Sequence, residues 1–231
     1  MRTERNIAII VAAGVGNRLG GELPKQFQAI GGKPMAVHSL ELFEKSPLID
    51  EIVFVVSDDH LVYASQAIVD HYGFKKIRKI TAGGKTRQES VLAGLTACPS
   101  GINLVIIHDA ARPFMTTSLL EKVILKAGEI GGAILAVPAK DSIKVGEDGI
   151  ISKTLRRNTV WIAQTPQVFR FDKILEAHKR GEAARNEATD DSELYEQYIG
   201  QVALVMGSYN NIKITTPGDM ILAQEIFKGS L

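Results

Sequence analysis

Cysteine is almost missing from this chain: Cys98 stands alone among 231 residues. A lone cysteine excludes an intrachain disulfide and a cysteine-rich metal site, and it points to a reducing compartment, the cytoplasm. An excess of charge of either sign is missing too. Lys plus Arg number 27 against 26 Asp plus Glu, a net charge of +1, which removes the electrostatic case for a nucleic-acid or membrane-surface protein. Any anionic ligand must then be held by a local arrangement of groups. No apolar stretch approaches the roughly 20 residues of a membrane span. The start MRTERN followed by IAIIVAA joins a charged segment to a short apolar run, but that run flows straight into glycines and reads as a strand rather than a secretion signal. Repeats and low-complexity tracts are absent as well. What is left fits one α/β domain or one such domain with an excursion, a class that commonly reaches roughly 200 to 250 residues.

The chain alternates apolar runs with helical patterns. Ile7–Val11, Ile52–Val56, Lys76–Ile80, Leu104–Ile107, Ala133–Val137 and Val202–Met206 read as strands. Met35–Lys45, Leu61–Tyr72, Ser90–Ala97, Leu119–Ile130, Phe171–Lys179, Ser192–Tyr198 and Gly218–Phe227 carry helical spacing. Alternation of this kind predicts a mostly parallel sheet flanked by helices. The regularity stops at Ile143–Val145 and Val160–Ala163, which read as the two strands of an antiparallel hairpin about the turn Glu147-Asp148-Gly149. Isolated hairpins are marginal in water, so this one is expected to pack on a second copy of the chain.

The stretch Ile7 to Gln26, IAIIVAAGVGNRLGGELPKQ, is the strongest local signal. Gly14, Gly16, Gly20 and Gly21 allow a sharp turn and close approach of backbone to ligand, exposed N–H groups there make an anion site, and Arg18 and Lys25 add fixed charge. It is not the dinucleotide fingerprint, because Leu19 stands where the third glycine belongs, and it is not a P-loop, because no Gly-Lys-Ser/Thr follows at the required spacing. By itself the stretch fits either a phosphate loop or an ordinary strand-to-helix turn.

Ligands of open parallel sheets bind at the carboxyl ends of the strands, and further polar clusters fall there: GGKTRQES, Asp109 with Arg112, and Lys140 with Asp141. Asp109 is placed either to hold a hard cation such as Mg²⁺ with substrate phosphates or to cap the following turn. Arg112, before Pro113, reads as a structural ion-pair partner, and Ser90 as a helix N-cap. Lys213, Arg156 and Arg157 read as solvated charges.

Eight motifs follow in order: AAGVGNR with PKQF, GGKTRQESV, HDAARPF, DSIK, RNTVW, QTPQVF, TDDSEL and NIKITTPGD. The series closely resembles the 2-C-methyl-D-erythritol 4-phosphate cytidylyltransferases of the non-mevalonate isoprenoid pathway, over Ile7 to about Glu225. The first motif alone marks nucleotidyltransferases generally; the set in register is specific to this family.

The resemblance implies a Rossmann-like nucleotidyltransferase fold in one domain, 1–231, with 139–163 as a β-hairpin dimerisation arm. It implies transfer of CMP from CTP to methylerythritol phosphate with release of pyrophosphate, in the cytoplasm and with Mg²⁺. Arg18 and Lys25 would stabilise the pentacoordinate transition state, and Ala13, Gly14, Gly16, Gly84, Ser90 and Ala110 would line the CTP site. Asp109 would hold Mg²⁺. Arg157 and Lys213 would position the acceptor, with Ser142 and Thr165 nearby and the arm residues supplied by the partner of a homodimer. The chain departs from the family pattern at Ser142, where Thr is usual, and at Asn210, where an acid is frequent before the NIK motif. Two other readings differ in substrate or class: a cytidylyltransferase for another polyol phosphate such as ribitol 5-phosphate, and a nucleotide-binding module without catalysis.

Overall fold

The computed structural model describes residues 5–14 and 23–229. In chain order these form β1 (Arg5–Ala12), β2 (Ala29–Ile30), β3 (Lys33–Pro34), α1 (Met35–Lys45), β4 (Glu51–Val56) and α2 (Leu61–Tyr63), which runs on through a π-helical turn at Ala64–Asp70. There follow β5 (Ile77–Ala82), α3 (Arg87–Thr96), β6 (Ile102–Asp109), α4 (Thr117–Ile130) and β7 (Gly132–Pro138). The last part holds β8 (Lys144–Glu147), β9 (Ile150–Thr154), β10 (Trp161–Arg170), α5 (Phe171–Ala183), α6 (Asp191–Tyr198), β11 (Ala203–Met206) and α7 (Pro217–Phe227).

The main sheet has the order β11-β7-β10-β6-β1-β4-β5. All neighbours pair in parallel except β10, which runs antiparallel to both β6 and β7. A strand covered on both faces should be apolar throughout, and Ile7 to Ile10 are fully buried. The two-residue period then sorts their side chains into two layers. Ala8 and Ile10, with Ile52, Phe54, Leu104 and Ile106, pack against α1 and α4. Ile7 and Ile9, with Val53, Val55, Val105 and Ile107, pack against α3, α5 and α6. Helix α3 seats closely because residue 94 is glycine: a Cβ there would lie 2.7 Å from Ile9 Cγ2 and 3.0 Å from Val55 Cγ2.

The structure does not pair Ile143–Val145 with Val160–Ala163 as the expected hairpin. Its strands are β8 and β9, Lys144–Glu147 against Ile150–Thr154. Residues 161–163 belong instead to the main sheet, where Trp161, Ile162 and Ala163 face Pro138, Val137 and Ala136 of β7. The cause is that β10 does not look like a buried strand. Gln164, Thr165 and Gln167 are all buried, and each is satisfied by hydrogen bonds, Gln164 to the Ser208 carbonyl (2.8 Å) and Gln167 to Asp190 (2.9 Å). Every residue of β8 and β9 is exposed, so the hairpin stands clear of the core.

The helix expected from Ser90 begins earlier, at Arg87. Its N-cap is Thr86, whose Oγ1 accepts from the Glu89 amide at 3.1 Å, and not Ser90. Among the described residues no helix is long and apolar enough to cross a membrane.

Candidate active site

Four loops at the carboxyl ends of the parallel strands, with the segment before α7, surround a cleft of about 490 Å³, within the roughly 300–1,000 Å³ typical of small-molecule sites. A second cleft of about 250 Å³ adjoins it and shares Arg87, Asp109 and Lys213 with it. Across the two, Lys25, Lys85, Arg87, Arg112 and Lys213 stand against Asp58, Asp109 and Asp190. Positive charge exceeds negative in the walls of a chain whose total is only +1, so the local environment favours an anionic ligand.

The loop after β1 brings Ala13 and Gly14 to the first cleft. Buried Gln26 ties that strand end to the turn Lys25–Phe27, its Nε2 donating to the Ala12 carbonyl and, at 3.2 Å, to that of Gly14. Lys25 faces the cleft and its Nζ donates to the Ile214 carbonyl at 3.1 Å. Gly16 and Arg18 lie outside the described residues.

The loop after β5 contributes Gly83 and Gly84. Ser90 pins this loop from the first turns of α3: its Oγ donates to the Thr86 carbonyl (2.8 Å) and accepts from the Gly84 amide (3.1 Å). A Cβ at residue 83 would fall 2.4 Å from Ala13 Cβ and 2.6 Å from Ser90 Oγ, so only glycine lets the two loops close together. The N-terminus of α3 opens on the same space, and its dipole favours anions.

Asp109 ends β6 between the two clefts. Its Oδ1 accepts from Arg87 Nε at 2.9 Å and its Oδ2 from Lys213 Nζ at 2.7 Å. Burial opposes ionisation of this carboxyl, but the adjacent charges of Arg87 and Lys213 outweigh it and hold the group well below the ordinary carboxylate range. Burial likewise works against the Arg87 charge, and Asp109 and Asp191 reverse that and raise it. The Asp109 amide donates to Thr165 Oγ1 at 3.0 Å, and Thr165 Oγ1 also meets His108 Nδ1 at 3.1 Å. Burial takes His108 down to about 4, which keeps its imidazole neutral at neutral pH.

Arg112 is structural, but through backbone carbonyls and not through the ion pair expected of it, and it also borders the second cleft. Its guanidinium donates to the Asn211 carbonyl at 2.7 Å, and the Ile214 amide donates to Ala111 at 2.9 Å. These bonds lay the segment carrying Lys213 along the loop after β6, which explains how a lysine that looked solvent-facing reaches Asp109.

Of the site residues expected from sequence, Ala13, Gly14, Lys25, Gly84, Ser90, Asp109 and Lys213 meet at the first cleft and Thr165 at the second. Ala110 is buried in the core beneath, and its neighbour Ala111 lines the cleft. Ser142 and Arg157 line neither; both are exposed beside the hairpin, where Arg157 Nη1 donates to the Lys140 carbonyl at 3.2 Å. Exposed Asn210 lines neither cleft.

Sequence reasoning missed Arg87, Asp191 and Gln26. Arg87 carried one physical signal: a cation in the first turn of a helix opposes the dipole, so it needs an acidic partner. The partners lie 22 and 104 residues away, beyond any local pattern.

A metal fits this geometry in one way. Among the described residues no three His, Cys, Asp or Glu side chains gather into a cluster, so a dedicated protein cage is absent there. Mg²⁺ is commonly held by one or two carboxylates with substrate phosphates, and Asp109 supplies one carboxylate at the junction of the clefts.

The model of the family described as 2-C-methyl-D-erythritol 4-phosphate cytidylyltransferase matches residues 6–229. The chain is 46% identical over 227 residues to the protein of that name from Geobacter metallireducens, covering 97% of this chain and 98% of the relative. It is 44% identical over 224 residues to that from Clostridium acetobutylicum, covering 96% and 97%. The solved structure of 4-diphosphocytidyl-2C-methyl-D-erythritol synthase from Anaerococcus prevotii superposes with a TM-score of 0.87 at 31% identity, covering 98% of this chain and 97% of the other. Similarity of this extent, over nearly the whole chain, leads to one assignment: the chain belongs to the 2-C-methyl-D-erythritol 4-phosphate cytidylyltransferase family.

Proposed function

We propose that the chain transfers CMP from CTP to the phosphate of 2-C-methyl-D-erythritol 4-phosphate, with the nucleotide in the first cleft and the acceptor in the second. The observation that carries this division is that the clefts share Arg87, Asp109 and Lys213, so a phosphate in each would meet at these groups. An acceptor phosphate oxygen attacks the α-phosphorus in line, a P–O bond to it forms as the bond to the bridging oxygen breaks, and pyrophosphate leaves.

Such chemistry asks the protein mainly for alignment and charge. Lys25 and Arg18 stabilise charge that develops on the α-phosphoryl oxygens. The amides of the glycine loop and the start of α3 bind the nucleotide, with Ala13, Gly14, Gly16, Gly84 and Ser90 forming its surroundings and Ala111, above the buried Ala110, completing the wall. Lys213 moves from Asp109 to the acceptor phosphate, as a mobile point charge can, and Thr165 holds the strand end in place. Asp109 would hold Mg²⁺, which when bound neutralises phosphate charge. Because both oxygens of Asp109 already accept from cations, departure of Lys213 is what frees one of them.

Ser142 and Arg157 are assigned to the acceptor site of a second subunit. The support is the exposed hairpin: Ile150 is 73% and Ile151 60% exposed, an apolar tip that a partner would cover. The proposed assembly is a homodimer of single-domain subunits joined through the arm. A cytoplasmic setting agrees with the single cysteine, Cys98.

The decisive assay is pyrophosphate release from CTP and Mg²⁺ with methylerythritol phosphate, with ribitol 5-phosphate and with no acceptor. Release with the first alone is the expected result. Preference for ribitol 5-phosphate would change the acceptor, and no release with either would remove the activity.

A further inference from the structure

Behind Asp109 a line of charged and polar groups runs away from both clefts. Arg87 uses separate nitrogens of its guanidinium, Nε toward Asp109 Oδ1 (2.9 Å) and Nη2 toward Asp191 Oδ2 (2.8 Å). Asp191 accepts on its other oxygen from His178 Nε2 at 3.1 Å, and these two side chains are 1% and 0% exposed. Burial opposes the Asp191 charge, and Arg87 and His178 outweigh it. The anchor is itself braced from β10, because Gln167 donates to Asp190 at 2.9 Å and accepts from the Ser192 amide at 3.0 Å, gripping the residues on either side of Asp191.

Neither Asp191 nor His178 borders a cleft, so neither meets a ligand. Arg87 does border both, and it sits in the first turn of α3, where the helix dipole repels a cation. Without a second acid it would be drawn toward the phosphates of a bound nucleotide. With Asp191 on Nη2 its plane is set, and the Nε–H is aimed at Asp109. This matters most when Lys213 leaves Asp109 for the acceptor, since the bond from Arg87 is then what keeps that carboxylate oriented.

We propose that Asp191, backed by His178, is a positioning residue for cytidylyl transfer: it locks the guanidinium of Arg87, and Arg87 fixes Asp109 at the junction of the two clefts. The proposal rests on the role given above to Asp109. Partners that orient a ligating carboxylate characteristically matter almost as much as the ligand itself.

The test is a double-mutant cycle on the full-length enzyme. Asp191→Asn, Asp109→Asn and the double variant are compared in kcat, in KM for CTP, and in Mn²⁺ affinity of the CTP complex measured by electron paramagnetic resonance. Asp191→Asn is expected to weaken Mn²⁺ binding and lower kcat by about 10-fold or more while KM for CTP changes little, as for other partners of a ligating group. In the Asp109→Asn background the same change should add no further loss, because the two residues act as a unit. Arg87→Lys, which keeps the charge and loses the planar fork, should reproduce the defect, and it replaces Asp191→Asn in the cycle if that variant does not fold. A fall in melting temperature with Mn²⁺ affinity and kcat unchanged would overturn the proposal. So would an equal loss in both backgrounds, which describes a purely structural residue. If Asp109→Asn alone left Mn²⁺ affinity and kcat intact, the role of Asp109 would fall, a failure distinguishable from that of the anchor.

Discussion

The mouth of the sheet and the hairpin arm both carry residues assigned to the reaction, and they are held in opposite ways. Asp109 is 6% exposed and bonded through both oxygens and its amide. Arg157 and Ser142 are exposed, and the hairpin beside them buries none of its nine strand residues. Groups that must meet developing charge gain from being fixed in a dry, braced setting. In the proposed homodimer, groups whose place is set by a second subunit would need no such bracing within one chain, so Ser142 and Arg157 are expected to take up their places only on assembly.

The largest expected effect breaks the braced half at its cation. Lys25→Ala should lower kcat by ~10²–10³-fold, the size seen when one transition-state donor is removed, with CTP binding little changed in equilibrium titration. A loss confined to CTP affinity would move Lys25 out of the transition state. On the other side of the comparison, Arg157→Ala should raise KM for the sugar phosphate by about tenfold, the effect of one charge-assisted hydrogen bond, and leave KM for CTP alone. Mixing Arg157→Ala with Lys213→Ala subunits should recover activity; mixed samples as inactive as the parents would count against a site shared between subunits.

The bracing also has a signature in stability. Asp191→Asn removes one partner of a buried ion pair and should cost roughly 3 kcal/mol at neutral pH in denaturant unfolding. The sign of its pH dependence follows from the direction of the shift. The Asp191 carboxyl is held below its ordinary value of 3.8, so its contribution is fully present above the ordinary carboxylate range of ~4 and fades as pH falls below it. The gap between wild type and variant should therefore narrow on acidification, and a gap that widened would contradict this origin. In the arm, replacing Ile150 and Ile151 by serine removes apolar surface that is already exposed in the monomer, so monomer unfolding should change by less than about 0.5 kcal/mol. Light scattering should instead report a weaker dimer. The smallest effect serves as a control away from both regions: Thr116 caps α4 by accepting from Leu119, and Thr116→Ala should cost about 1 kcal/mol with kcat unchanged.

Legibility followed how local the cause was. Helix α1 starts and ends where its spacing predicts, Met35–Lys45, and β4 differs by one residue at its start, because an apolar period is written in consecutive side chains. β10 does not read as a buried strand because its buried half contains Gln164, Thr165 and Gln167, which take part in the core through distant partners such as Ser208, His108 and Asp190. Lys213 and Arg157 show the same limit from the other side. Both read as solvated charges; one proves to be clamped on Asp109 and the other stays exposed, and nothing in their neighbours separates the two cases.

By itself, the order of apolar runs and glycines determined a mostly parallel α/β sheet with polar clusters at its strand ends, and the motif series determined the family. These properties arise from short-range periodicity and from residue types that a backbone conformation or a phosphate requires. Only the tertiary structure decided that β10 lies antiparallel between β6 and β7, that the hairpin is Lys144–Thr154, and that Arg87 bridges Asp109 to Asp191. Those outcomes depend on pairing between groups far apart in the chain, whose hydrogen bonds and charges are balanced only once burial has taken them out of water.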